Sequence, residues 1–267
     1  MAFIEKNRDE LVYMTSDILP ALNVFSTRYG GVSKGDFYSL NIGSNRGDDP
    51  DLVRENCYRL RALFGDAKKP CCVTKQVHGN VVKTVTHENL HVPCVADIPY
   101  EADGIVTAEK GLPIFCLTAD CVPALLCDSE GKAAAAIHCG WRSSVLDILS
   151  NCIEAMEQLG AKRENIYAAF GPAIGPCCFE TDRDVPDALE KYLSGETDGL
   201  WRQTESGKYY IDLRMANARR LVQLGISRDH IDVSDECTMC SHDKYWSHRY
   251  TRRNGLQRGS QASGIML

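Results

Sequence analysis

The sequence contains no run approaching the ~18 consecutive apolar residues that a membrane-spanning helix requires, so no segment is expected to cross a bilayer. Its N-terminus, Met1 to Glu10, has no apolar stretch behind a basic start, so no secretory signal is visible and a cytoplasmic protein is expected. There is no low-complexity tract, no repeat and no Pro/Gly/Ser stretch long enough to act as an interdomain linker. One catalytic domain over residues 1–267 is therefore the expected organisation. Nor is there an excess of base: 30 Lys and Arg face 36 Asp and Glu, for a net charge of −6, which argues against a dedicated nucleic-acid binder. Nothing in the sequence marks an obligate protein partner.

What remains is an ordinary folding chain, 44% hydrophobic and 25% charged, with one unusual feature, thirteen cysteines. In a chain without a secretory signal these are expected to be reduced thiols, many packed as small hydrophobes. Cys57, Cys116, Cys127 and Cys152 sit among Leu, Ile and Val and read as core. The adjacent pairs Cys71-Cys72 and Cys177-Cys178 cannot easily close on themselves. Cys237-x-x-Cys240 is half of a ribbon-type zinc site, with no second Cys-x-x-Cys to complete it. One local charge bias stands out: Lys244, Arg249, Arg252, Arg253 and Arg258 lie in a stretch almost free of acid, either a solvated tail or an anion-binding edge.

Periodicity predicts helices at 51–63, 143–159, 185–193 and 213–224, the first opened by Asp48-Asp-Pro50 and the second closed by Gly160. Strands are predicted at 70–76, 81–86, 104–107, 113–117, 122–127, 133–138, 165–170 and 231–234, with another from Phe25 into the Gly30-Gly31 turn. The short links 117–122 and 127–133 suggest antiparallel pairing across each. The expected fold class is α+β, mixed β-sheets flanked by helices.

Three segments put a metal-seeking side chain at a strand end: Lys75-Gln-Val-His78-Gly, Thr118-Ala-Asp-Cys121-Val-Pro123 and Ala133-Ala-Ala-Ala-Ile-His138-Cys-Gly-Trp-Arg142. In α/β architectures functional groups collect where strands end. Two imidazoles and one thiolate would leave the fourth position of a zinc ion open, the pattern of catalytic zinc. Each residue also has an ordinary packing role, and the long, irregular spacing alone leaves the choice open.

The motifs in order, Phe25-Ser-Thr-Arg-Tyr-Gly-Gly31, Ser39-Leu-Asn-Ile-Gly43, Gly47-Asp-Asp-Pro50, Gln76-Val-His-Gly79, Ala102-Asp-Gly-Ile-Val-Thr107, Thr118-Ala-Asp-Cys-Val-Pro123, His138-Cys-Gly-Trp-Arg142, Gly171-Pro-Ala-Ile-Gly175 with Cys177-Cys178, and Asp212-Leu213, resemble the YfiH-type purine nucleoside phosphorylase family. This family is also called laccase-domain or polyphenol oxidase-like. The resemblance runs nearly end to end. It implies a four-layer α/β/β/α sandwich, zinc held by His78, Cys121 and His138, and phosphorolysis of purine nucleosides, with adenosine deamination in some members. Two segments depart from the family pattern: Ser247-His-Arg-Tyr250 and Gln257-Arg-Gly-Ser260.

With that activity in view, Arg28, Lys75, Arg142 and the basic stretch including Arg249 are candidate phosphate contacts, and Asn41 a candidate amide for ribose or base. Asp120 is either an acid–base group or a turn cap. A multicopper oxidase would need about ten histidines, many as His-x-His; this chain has seven and no such pair, so a multicopper laccase is disfavoured, while copper as a substitute in a His₂Cys site is not. A third reading makes Cys121 and His138 the nucleophile and base of a cysteine hydrolase or amidase, as in peptidoglycan-precursor editing.

Overall fold

The computed structural model describes residues 3–44, 46–68, 70–88 and 100–267. The chain opens with β1 (Phe3–Arg8), β2 (Leu11–Ser16), β3 (Leu22–Ser26), α1 (Pro50–Ala62) and β4 (Val82–Thr84). Next come β5 (Gly104–Thr107), β6 (Ile114–Thr118), β7 (Val122–Asp128), β8 (Ala134–Cys139), α2 (Trp141–Val145) and α3 (Ile148–Gln158). They are followed by β9 (Ile166–Phe170), β10 (Glu180–Thr181), α4 (Asp184–Tyr192), β11 (Trp201–Gln203), β12 (Tyr209–Ile211) and α5 (Leu213–Gln223). The last elements are β13 (Ile231–Val233), α6 (His248–Asn254) and β14 (Gln261–Met266).

An antiparallel sheet of order β1-β2-β3-β14-β6 stacks on a mixed sheet of order β13-β9-β7-β8-β5-β4, in which the two edge pairs are parallel. Alternation along the central strands explains the stacking. Leu125 and Cys127 of β7 point into the seam between the sheets, meeting Phe25, Ile114, Cys116 and Ile265. Ala124 and Leu126 point the other way, onto Leu149, Ile153 and Met156 of α3 and Leu221 of α5. Each fully buried leucine contributes roughly 1.5–3 kcal/mol. On the far side, Val24, Phe115 and Ala262 cover Val53, Cys57 and Leu60 of α1. The result is helix, sheet, sheet, helix: the α+β, four-layer architecture expected. A small sheet, β10-β12-β11, lies beyond the main sheets.

Several sequence expectations need correction. The strands on either side of the 117–122 link do not pair. β6 pairs with β14, while β7 pairs with β8 and β9, so the link carries the chain from one sheet to the other. Asp120, at φ 87°, makes that crossing. The helix expected over 143–159 is two helices, because Asp147 is left-handed at φ 62° and its carboxylate accepts from Arg220 Nε of α5 at 3.0 Å. Residues 70–76 form no strand but two isolated bridges, Cys72 to Ile114 and Lys75 to Glu101. The basic C-terminal stretch is no solvated tail: α6, capped by Ser247, leads into the buried strand β14. No helix among the described residues is long and apolar enough to cross a membrane.

Candidate active site

The sheet-to-sheet crossing places Cys121 just before β7, and β7 runs antiparallel to β8 so that Pro123 faces His138. The third side chain arrives on the loop before β4. There Asp103, directly before β5, gathers three successive amides: Val77 N–H donates at 3.1 Å, His78 N–H at 3.0 Å and Gly79 N–H at 2.8 Å. Holding His78 this way fixes it at φ 61°, a left-handed conformation that costs an L-residue roughly 1–2 kcal/mol. Two of the strained non-glycine residues, His78 and Asp120, thus flank or carry the candidate ligands.

Asp103 has a second role. Its Oδ1 lies 2.7 Å from His138 Nδ1, both side chains being buried. That contact fixes the ring and leaves Nε2 facing inward. Burial opposes ionisation of Asp103, but the bonds from His138 and from the Gly79 and Val77 amides outweigh it and hold the carboxyl below its usual pKa. Cys121 Sγ is 3.8 Å from His78 Nε2, and the two imidazole rings meet edge to face at 4.8 Å. Burial raises the thiol pKa, yet the charges and hydrogen bonds of His138 and His78 bring it down to about 6. The same interaction, with Asp103 behind it, raises His138 against its own burial to about 9.

One glycine is required by this crowding. A Cβ on Gly140 would stand 2.8 Å from His78 Cδ2 and 3.5 Å from both Cys121 Sγ and His138 Cε1. The donor atoms of His78, Cys121 and His138 lie within 4.8 Å of one another. Two imidazoles and a soft thiolate, one ring oriented by a carboxylate, suit a borderline cation such as zinc. The donor set faces a cavity of about 450 Å³, also lined by Gly43, Ser44, Arg46, Lys75, Thr118, Arg258 and Ser260. Arg46 and Arg258 repel each other across this mouth, and Arg258 also faces Cys121 and Asp120. Burial first, then Arg258, Arg252 and Arg46, lowers the pKa of His248 nearby. Cationic character therefore gathers at the mouth. Thr118 Oγ1, buried on the cavity wall, has no hydrogen-bond partner among the described residues.

Residues 22–267 match the family model described as multi-copper polyphenol oxidoreductase laccase. The chain belongs to this family. It is 36% identical over 235 residues to the Geobacillus stearothermophilus protein named purine nucleoside phosphorylase YlmD, covering 85% of this chain and 84% of that one. It is 34% identical over 233 residues to purine nucleoside phosphorylase YfiH of Escherichia coli, covering 86% and 88%. The crystal structure of the Geobacillus YlmD superposes with a TM-score of 0.91 at 31% identity, over 99% of this chain and 98% of the other. That of a Bacillus licheniformis hypothetical protein, YfiH, gives 0.90 at 26% identity, over 98% of each chain.

Against the family's laccase description stands the donor inventory. Among the described residues only two groups of three or more Cys, His or acidic donors converge, His78–Cys121–His138 and a four-cysteine group, and neither supplies the histidines of a trinuclear copper cluster.

Of the candidate residues, the structure brings together His78, Cys121 and His138, with Lys75 at the rim, where its ammonium pairs with Glu101 at 2.8 Å. The others are placed elsewhere. Arg28 donates to the Tyr38 and His242 carbonyls at 3.1 and 3.0 Å and stacks 3.9 Å over Trp246, so it locks a loop. Arg142 is exposed and lies over Trp141. Arg249 donates to the carbonyls of Cys178 and Glu180. Asn41 is wholly buried; its Oδ1 accepts from the Gly43 and Ser260 amides, both at 2.9 Å, so it shapes the cavity wall from behind. Asp120 accepts from Thr238 Oγ1 at 2.7 Å and from Arg249 N at 2.6 Å, so its carboxylate ties the crossing to the Cys237 segment and to the first turn of α6.

Sequence reasoning missed Asp103, Arg46, Thr118 and Ser260. Asp103 stands inside the Ala102-Asp-Gly motif, but nothing in its spacing announces that it gathers amides 24 to 26 residues earlier. Arg258 was visible as one of the five basic residues near the C-terminus.

Proposed function

We propose that this protein is a zinc-dependent purine nucleoside phosphorylase, acting on adenosine- or inosine-type nucleosides, with adenosine deamination as a side activity. The observation that carries the reading is the convergence of a three-donor His₂Cys set and a cationic mouth, Arg46 and Arg258, on one cavity. A volume of about 450 Å³ lies within the range that holds small organic ligands. The names of the relatives, purine nucleoside phosphorylases, support the same class.

In phosphorolysis a phosphate oxygen bonds to C1′ of the ribose while the C1′–N9 bond breaks. The purine leaves with the bond pair and takes up a proton, giving free base and ribose 1-phosphate. Arg46 and Arg258 would bind and orient the phosphate by charge-assisted hydrogen bonds. Thr118 Oγ1 offers an unspent hydrogen bond to the nucleoside. Asp103 keeps His138 in one orientation and tautomer, so the donor set needs no rearrangement when substrate arrives. A zinc ion held by His78, Cys121 and His138 would supply Lewis-acid polarisation of an oxygen ligand, and copper fits the same donors as a substitute. If the same residues orient water rather than phosphate, the water oxygen would bond to C6 of adenosine while the C6–N bond breaks, releasing ammonia and leaving inosine.

The test is product formation from adenosine with and without phosphate, comparing wild type with Cys121→Ala. Phosphate-dependent release of adenine and ribose 1-phosphate, lost in the variant, is expected. Inosine formed without a phosphate requirement would make deamination the main chemistry. No turnover of any purine nucleoside by zinc-loaded protein would overturn the proposal.

One arrangement favours a second reading. Cys121, His138 and Asp103 stand in the order of a cysteine–histidine–aspartate hydrolase, with the thiol already biased toward thiolate. Metal decides between them, because a thiolate bound to zinc is not a free nucleophile.

A further inference from the structure

The Cys237-x-x-Cys240 pair has its second half elsewhere in the chain. The adjacent cysteines Cys177 and Cys178, on the loop between β9 and β10, reach it across some sixty residues of sequence. Cys177 Sγ is 3.5 Å and Cys178 Sγ 3.4 Å from Cys240 Sγ. All four sulfurs lie within 4.8 Å of one another. Four sulfurs about 2.3 Å from a central zinc stand ~3.8 Å apart along the edges of a tetrahedron, so the observed cluster has the size of a zinc tetrathiolate. The same distances are far beyond the ~2.05 Å of a disulfide bond.

Backbone donors already surround one of the four sulfurs. Gly175 N–H donates to Cys237 Sγ at 3.2 Å. The Cys240 and Met239 amides are directed at the same sulfur. A Cys-x-x-Cys turn whose own amides fold back on its first sulfur is how a metal knuckle is padded. Arg214, buried on α5, stands beside the cluster: its Nη2 would be 3.1 Å from a Cβ on Gly175, the same Cβ that would sit 3.4 Å from Cys177 Sγ. Its Nε has no hydrogen bond among the described residues, only a 4.0 Å approach to Asp212. Its Nη1 donates to the Glu236 carbonyl at 2.8 Å, which holds this buried positive charge beside the four thiols, where it fits a cluster that carries net negative charge when metallated.

We propose that Cys177, Cys178, Cys237 and Cys240 form a second metal site, a closed four-thiolate centre for zinc or a similarly thiophilic divalent cation, separate from the His78–Cys121–His138 set. With four protein ligands it leaves no open position, so its role is structural. The four thiols release their protons to solvent as the cation binds. The segments it ties are those behind the Asp120 crossing. Ile174 N–H donates to Asp120 O at 2.9 Å, and Thr238, next to Cys237, donates to the Asp120 carboxylate. The centre therefore braces the turn that delivers Cys121.

The experiment uses full-length protein purified under reducing conditions, its zinc counted per chain by mass spectrometry of the metal. Wild type is expected to hold two zinc ions, Cys121→Ala one, and Cys121→Ala with Cys240→Ser none. Cobalt loaded into Cys121→Ala should give the intense thiolate-to-cobalt charge-transfer bands of a tetrahedral all-sulfur site. Cys121→Ala protein that is folded by circular dichroism yet binds no zinc, or whose cobalt spectrum lacks those bands, would overturn the proposal. So would thiol titration of freshly purified protein showing a disulfide within the cluster. Because Cys121→Ala leaves the four cysteines intact, the result stands even if the double variant does not fold, and it is independent of which substrate the enzyme takes.

Discussion

Cys116 and Cys121 are five residues apart, and the fold treats them oppositely. Cys116 lies inside β6 at the seam between the two sheets, where burial pushes its thiol up to about 12. Cys121 lies where the chain leaves that sheet for the other, and the imidazoles of His138 and His78 bring it down to about 6 despite the same desolvation. Cys127 and Cys152 repeat the first case, raised by burial alone or nearly so. A thiol becomes chemically useful here through the charges that face it. Those charges are present because a crossing, a strand end and a strained loop meet at one point.

The contrast can be broken at its source. His138→Ala removes a donor and the strongest partner of Cys121. Phosphorolysis should fall by more than ~100-fold with loss of one bound zinc, measured as initial rates alongside metal content, whereas Cys116→Ala should leave activity within a few-fold of wild type. Next in size is Asp103→Asn, which keeps the shape but lets His138 change tautomer and weakens the amide cradle under His78. A drop of about 10–100-fold in metal affinity or activity is expected from chelator competition and kinetics. Arg258→Ala should raise the KM for phosphate more than it lowers kcat, by on the order of tenfold, since a charge-assisted hydrogen bond is worth roughly 1.5–3 kcal/mol.

The pH dependence of alkylation sharpens the same comparison. In metal-free protein, iodoacetamide labelling of Cys121, mapped by peptide mass spectrometry, should rise with a midpoint near pH 6. The sign follows from a lowered pKa: the thiolate is present above the folded value and is lost as pH falls through it. Cys116 should stay unlabelled across the range while the fold is intact. Gly140→Ala should give the smallest effect. The added methyl must displace the His78 ring, so metal affinity should weaken severalfold with little change in melting temperature.

The main elements were legible because their signals are local, whereas His78, Cys121 and His138 stood out singly as residues at strand ends and were joined as a set only by the family resemblance. His138 ends a five-residue apolar run, and the helices at α1, α4 and α5 announce themselves by periodicity and caps such as Asp49 and Asp212. What the sequence concealed depends on contacts over long separations. β14 reads as an unremarkable tail until it is seen pairing β3 and β6. Asp103 acts on residues that precede it by two dozen positions. Arg28 and Arg249 look like free cations in sequence, and only the fold reveals the carbonyls that occupy them. The four cysteines escaped because adjacent thiols are not the usual second half of a zinc site, and nothing local brings Cys177 to Cys240.

The most direct test of the account is to strip metal from the protein with a chelator, confirm the loss, and return zinc stepwise while following adenine release from adenosine and phosphate. Activity should be absent from the stripped protein and recover with occupancy of the His78–Cys121–His138 site. Full turnover by metal-free protein would contradict that claim.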